Sequence, residues 1–174
     1  GIEARLEELA ALESLDNGKP VALARSVDIP RAIANFRFFA TAAPHFHSEA
    51  YATDRKALNY TLRRPRGVAG LIAPWNLPLY LLSWKIAPAI ASGNTAVAKP
   101  SELTPMTAHL LSEVCREAGM RVCAGITIIE MASSWATGVG EYIEKGLALR
   151  DRWKDDPLVG FALAPHSPYT VSDD

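Results

Sequence analysis

The 174 residues are enough for one domain with a sizeable core, or for a domain joined to a further piece. Hydrophobic residues at 49% and charged residues at 21% describe a soluble globular chain. With 18 basic and 19 acidic side chains the net charge is −1, so no bulk field favours nucleic acid or an anionic membrane as a partner.

In chain order, "IEARLEELAALESLDNGKP" sets Ile2, Leu6, Leu9 and Leu12 at helical spacing and stops at Asn17-Gly18, with Pro20 beyond. Residues 1 to 15 are charged and hold no apolar signal core, which gives a cytoplasmic expectation. Asp28, before Ile29-Pro30, reads as the N-cap of a second helix whose apolar face is "AIANFRFFATAA", with Phe36, Phe38 and Phe39 expected in the core. Alternation through Tyr60 and Leu62 then gives way to "VAGLIA", a short apolar run that suits a strand buried on both faces of a parallel sheet. "LPLYLLSWKIAPAIASG" predicts a buried helix closed by Gly93; at Leu77 to Ala91 its apolar run is too short to span a bilayer. "NTAVAKP" is a second strand, and Ser101 and Thr104 are both candidate N-caps for a helix through "MTAHLLSEVCREAG", closed by Gly119. Further on, "RVCAGITIIE" and "PLVGFALAP" read as strands and "EYIEKGLALRDRW" as a helix. This order predicts α/β architecture with a doubly wound parallel sheet.

Two polar clusters follow the first two apolar strands, where open parallel sheets bind ligands. In "APWNLPL", Pro74 and Pro78 restrain the backbone around Asn76. Its neutral amide suits either a turn or a fixed donor to a developing oxyanion. Lys99 and Glu102, in "AKPSE", form either a solvated ion pair beside a helix cap or a donor and acceptor for the vicinal hydroxyls of a ribose. Cys115 and Cys123 have no metal-ligand spacing and read as small core residues. His45-Phe46-His47 has a two-histidine spacing but follows a helix, and no metal is expected.

"PWNLPLYLLSWKIAPAIASGNTAVAKPSELTP" resembles the cofactor-binding core of the NAD(P)-dependent aldehyde dehydrogenase family, and "LESLDNGKPVALARSVDIPRAIANFRFFA" resembles its preceding helices, with a leaning toward the muconic semialdehyde members. The resemblance covers residues 1–119 and implies an incomplete Rossmann-like fold with N-terminal helices. It makes Asn76 the donor to the oxyanion of a thiohemiacetal and Lys99 with Glu102 the pair holding the adenosine ribose of NAD or NADP. Ala73, Pro74 and Trp75 would line the nicotinamide side, and the partners would be a dinucleotide and an aldehyde. No counterpart of the family's nucleophilic cysteine motif or of its "ELGGK"-like glutamate segment is found, so this chain alone is expected to be inactive. "ATGVGEYI" imitates the family's second glycine turn only weakly.

Beyond Gly119, residues 120–174 resemble an internal piece of the amidohydrolase superfamily, of the methylthioadenosine or S-adenosylhomocysteine deaminase kind, above all in "ALAPHSPYTVSD". That resemblance implies a chimera joined near Gly119 and makes His166 a substrate contact. The expectations are therefore a partial dehydrogenase, a metal-dependent hydrolase fragment, or an inert structural module. A sheet cut after a few strands is also expected to self-associate through its edge.

Overall fold

The computed structural model describes residues 1–132, 135–167 and 169–171. Pro168, Ser172 and Asp173 of the "ALAPHSPYTVSD" segment lie outside the described residues. The chain divides into two compact units, Ile2–Leu110 and, with Gly1, Leu111–Asp174. The division falls within a helix, nine residues before Gly119.

In the first unit a 3-10 turn, Ile2–Arg5, leads into α1, Leu6–Asn17. Gly18 ends it at φ 76°, where its N–H donates to the Ser14 carbonyl at 2.9 Å. This left-handed closure costs a residue without Cβ little. Leu9, Ala10 and Glu13 form the buried face of α1.

A second helix starts after Pro20 as α2, Val21–Leu23, widens to a π-helical turn at Ala24–Asp28, and continues as α3, Ile29–Ala42. Pro30 accounts for the widening. It offers no N–H to Ser26 and its ring crowds that carbonyl, while the Ile29 N–H reaches back five residues to the Ala24 carbonyl. Asp28 therefore has helical backbone angles, φ −71° and ψ −48°, and is not an N-cap. The phenylalanines also depart from expectation: Phe38 is 60% exposed, and Phe36 and Phe39 are half-buried. The buried face of α3 carries smaller or polar groups instead: Ile29, Ala32 and Asn35.

An antiparallel hairpin, β1 (Ala50–Thr53) and β2 (Ala57–Tyr60), follows. Then come β3 (Val68–Ile72), α4 (Pro78–Ala91), β4 (Thr95–Lys99) and α5 (Met106–Glu117). β3 and β4 pair in parallel from Val68↔Thr95 to Ile72↔Lys99, with α4 as the crossover. Neither strand is buried on both faces. Val68, Ile72 and Val97 are 64% to 70% exposed, because among the described residues this sheet has two strands and α4 covers one side of them. The core lies among the helices, where Leu79, Leu82 and Ala87 of α4 are buried. Asn35 Nδ2 donates at 2.8 Å to Ser83 Oγ, which donates to the Tyr80 carbonyl, so the polar groups buried between α3 and α4 satisfy one another.

The second unit repeats the pattern with β5 (Val122–Ile128), α6 (Val139–Trp153) and β6 (Val159–Pro165), paired in parallel from Val122↔Val159 to Ile128↔Pro165. The chain is thus α/β with parallel sheets and N-terminal helices. Cys123 is exposed on β5 and Cys115 half-buried on α5, so neither is a core residue in the sense expected. No helix among the described residues is long and apolar enough to cross a membrane.

Two interactions seat α6. Gly146 is buried where a Cβ would run into the Ile126 side chain. Glu141, in the first turn, accepts hydrogen bonds from the Thr137 N–H at 2.8 Å and hydroxyl at 2.7 Å and pairs with Lys145. Gly146→Ala gains helix propensity worth about 1 kcal/mol, but the overpacking against Ile126 costs about 1 to 3 kcal/mol. Urea unfolding should therefore show no gain and up to about 2 kcal/mol of destabilisation, and a stabilised variant would refute this packing. The Lys145 and Thr137 contacts also hold the Glu141 carboxyl down at about 2, from an ordinary 4.5. Its stabilising contribution is present above the ordinary value and lost as pH falls through about 2. Glu141→Gln should flatten that part of the acid-unfolding curve, followed by circular dichroism.

Candidate dinucleotide site at the tips of two parallel strands

Ala73, Pro74, Trp75 and Asn76 leave the C-terminal end of β3, and Lys99 ends β4. Ile72 pairs with Lys99, and the Ala73 N–H donates to the Lys99 carbonyl at 3.1 Å. The two loops therefore start as immediate neighbours at one end of one sheet. Ala73 is buried at 4% exposure, whereas Pro74, Trp75 and Asn76 are exposed, Trp75 at 55%. Lys99 Nζ lies 3.0 Å from Glu102 Oε2, with the two side chains 48% and 46% exposed. Ser101 Oγ accepts the Leu103 N–H at 3.3 Å and tightens the turn between them. One half-hydrated cation, one half-hydrated carboxylate, a neutral amide and an indole thus share one end of the sheet. An ammonium supplies three donors and a carboxylate about four acceptor sites, the kind of groups a vicinal diol pairs with.

What holds these loops comes from α1. Asp16 Oδ2 accepts the Met106 N–H, the first of α5, at 2.8 Å, and Glu13 Oε2 faces the Leu79 N–H in the first turn of α4 at 3.4 Å. Neither Ser101 nor Thr104 caps α5 as expected, because a carboxylate from a distant helix already occupies that position. Thr104 Oγ1 is instead buried without a partner among the described residues. Lys19 Nζ lies 2.6 Å from Asp28 Oδ2 and 3.2 Å from Glu13 Oε1, and donates to the Asn76 carbonyl at 3.4 Å. Burial pushes the Glu13 and Asp16 carboxyls above their ordinary values, opposed at Glu13 by Lys19 and at Asp16 by the Met106 N–H.

Sequence reasoning passed over Glu13, Asp16 and Lys19 and took Asp28 only for an N-cap. One signal was available: Glu13 stands four residues after Leu9, on the face of α1 that the apolar spacing marks as buried.

The remaining candidates lie elsewhere. His166 follows β6 in the second unit, where its N–H donates to the Ile128 carbonyl at 2.9 Å and its Nδ1 lies 2.9 Å from Thr170 Oγ1. Burial raises the Cys115 thiol above its ordinary pKa, the opposite of what an attacking thiolate needs. Among the described residues no group of three or more histidine, cysteine, aspartate or glutamate side chains could hold a metal ion.

Parallel strands joined by a crossover helix, with polar loops at their carboxyl ends, define the chain as part of a Rossmann-like α/β protein. It belongs to the aldehyde dehydrogenase family, whose model matches residues 1–130. It is 59% identical over 119 residues to 2-aminomuconic semialdehyde dehydrogenase of Danio rerio, covering 68% of this chain and 24% of that protein. It is 51% identical over 124 residues to 2-hydroxymuconic semialdehyde dehydrogenase of Pseudomonas sp. strain CF600, covering 69% and 26%. The chain thus spans about a quarter of the length of the curated relatives it matches. Among solved structures, the NAD+ complex of an aldehyde dehydrogenase from Bacillus cereus superimposes with a TM-score of 0.67 at 42% identity, over 68% of this chain and 24% of that one. A variant of an aldehyde dehydrogenase from Bacillus cereus gives 0.66 at 28% identity over 94% of this chain and 36% of that one.

Removing the Asp16 carboxylate leaves the first N–H of α5 without its acceptor. Asp16→Ala should cost about 1 kcal/mol in urea unfolding, in line with other lost caps, and Asp16→Asn, which keeps an acceptor, should cost less. Because the folded-state pKa of Asp16 is raised, its contribution is greatest below the ordinary carboxylate value and declines as pH rises through the raised one. Asp16→Asn should remove that slope.

Proposed function

We propose that residues 1–119 form the strand-tip part of an NAD(P) site and carry the oxyanion donor of an aldehyde dehydrogenase, without a nucleophile or general base of their own. The observation that carries this reading is the pairing of Ile72 with Lys99, which starts the Asn76 loop and the Lys99–Glu102 loop side by side. In it, Lys99 and Glu102 hold the adenosine ribose hydroxyls, and Ala73, Pro74 and Trp75 line the nicotinamide side. Asn76, restrained by Pro74 and Pro78, offers its amide N–H to an oxyanion formed from the aldehyde carbonyl. A donor that does not ionise and is already oriented needs little reorganisation as charge develops, and such donors are commonly worth about 2.7 to 4 kcal/mol in the barrier. Bound there, the dinucleotide would supply a hydride acceptor.

The two cysteines support a chain that binds cofactor without oxidising aldehydes: Cys115 has a raised pKa and Cys123 sits on β5 in the other unit. Similarity to the muconic semialdehyde dehydrogenases favours an unsaturated, carboxylate-bearing aldehyde as the substrate of the complete enzyme. Curated relatives align over 118 to 124 residues, while the family model runs to residue 130 and an aldehyde dehydrogenase structure covers 94% of this chain, which favours likeness to the family continuing beyond Gly119. The exposed apolar face of β3 and β4 supports self-association through that sheet.

Titrating NAD into the full chain tests the reading, with Trp75→Phe identifying which part of the tryptophan signal belongs to position 75. A saturable change is expected, and Lys99→Ala should weaken binding roughly tenfold or more, the loss of a hydrogen bond to a charged group. No response at millimolar NAD, or full affinity in Lys99→Ala, would overturn it. Aldehyde oxidation by the isolated chain is expected to be absent.

A further inference from the structure

We infer that Lys19 is a positioning residue for Asn76, holding the loop's backbone from beneath through a buried pair of carboxylates. The inference rests on the reading of Asn76 as the oxyanion donor. An ammonium has three N–H donors, and Lys19 directs them at three acceptors: Asp28 Oδ2, Glu13 Oε1 and the Asn76 carbonyl, at 2.6, 3.2 and 3.4 Å. Both carboxylates are buried, with side-chain exposures of 0% for Glu13 and 3% for Asp28, against 12% for Lys19.

The third contact is the longest, yet it is the one that reaches out of the N-terminal helices to a residue 57 positions away. Glu13 points its second oxygen at the Leu79 N–H, so the same group meets the chain on both sides of Pro78. Pro74 and Pro78 restrain backbone angles around Asn76 but leave the orientation of the Asn76–Leu77 peptide to be set by its partners. Lys19 supplies one. Its ammonium is directed at the two carboxylates and the Asn76 carbonyl, and it acts on the side-chain amide by fixing the peptide that carries it. The link also explains why a lysine directly follows the glycine stop of α1. Ser14 Oγ donates to the Lys19 carbonyl at 2.6 Å and the Lys19 N–H donates to Asn17 Oδ1 at 3.1 Å, which anchors the base of the side chain.

The test uses the isotope-labelled full chain without cofactor, so that it does not depend on NAD binding. In Lys19→Met the carbonyl and amide signals of the Asn76–Leu77 peptide and the Asn76 side-chain amide should shift or broaden, while those of Lys99 to Glu102 stay in place. Lys19→Met also strands two buried carboxylates, so Glu13→Gln/Lys19→Met/Asp28→Asn is examined beside it. The neutral triple variant should regain the thermal midpoint and keep the displaced Asn76 signals. Return of those signals to wild-type positions, or no displacement in a folded Lys19→Met, would overturn the inference and show that Lys19 only stabilises the helices. If Lys19→Met does not fold and the triple variant does, the triple variant decides. If neither folds, the wild type decides: a Lys19 ammonium resonance with a through-space contact to the Leu77 N–H is expected, and its absence overturns the proposal. NAD titration of the wild type separates the two readings, since cofactor can fail to bind a chain whose anchor is intact.

Discussion

Helix α1 contributes carboxylates to the starts of two other helices, and the arrangement of the strand-tip loops depends on that. A helix start leaves its first N–H groups without intrahelical acceptors and carries partial positive charge. Asp16 meets this need for α5 and Glu13 for α4, the helices that follow the two site loops. One rigid element thus sets both βα turns, and Glu13 stays anchored because Lys19 and Asp28 surround it. Taking away one member of such a buried ionic set costs about 3 to 5 kcal/mol, mainly because the remaining charge is left uncompensated.

The sheet contributes direction more than burial. Two parallel strands with exposed Val68, Ile72 and Val97 hide little apolar surface, and the hydrophobic contribution to this unit comes from Leu9, Ile29, Leu79 and Leu82 among the helices. What β3 and β4 supply is register. The parallel ladder through Ile72↔Lys99 sends two chains out of one edge a single strand spacing apart. Helices that supply both the core and the anchors, and strands that supply only alignment, are a division in which the loop positions follow from α1.

Much of this was legible in the sequence, and the failures have physical causes. Period and glycine stops placed α1, β3, α4, β4, α5, β5, α6 and β6 correctly, because each depends on local backbone preferences. Asp28 was misread because Asp-Ile-Pro is a common helix start. Here Pro30 sits inside a running helix and is accommodated by a wide turn, which frees Asp28 to pair with Lys19. The caps of α5 were misread because the acceptor for Met106 comes from Asp16, 90 residues away, and local patterns carry no information about it. Phe38 and the strand faces read as core by hydrophobicity alone, yet burial also requires something to cover them. Lys99 and Glu102 were brought together as their spacing suggested, since a turn at Pro100 and Ser101 is a local matter.

A lysine–carboxylate pair stands at the end of β4, and a lysine with two carboxylates meets the loop after β3; the two groups differ in burial. Lys99–Glu102 is about half exposed, and such a pair is worth about 0 to 1 kcal/mol. Separating its members therefore costs little, which suits the ribose-binding role proposed for them. Lys19 with Glu13 and Asp28 lies almost wholly out of water, where separation is expensive, so its members keep their geometry whatever arrives above them. Exchanging the two environments would leave the proposed binding pair unable to open and the proposed anchor unable to hold. The roles proposed at the strand tips therefore rest less on which residues are present than on how far each charged group is withdrawn from solvent.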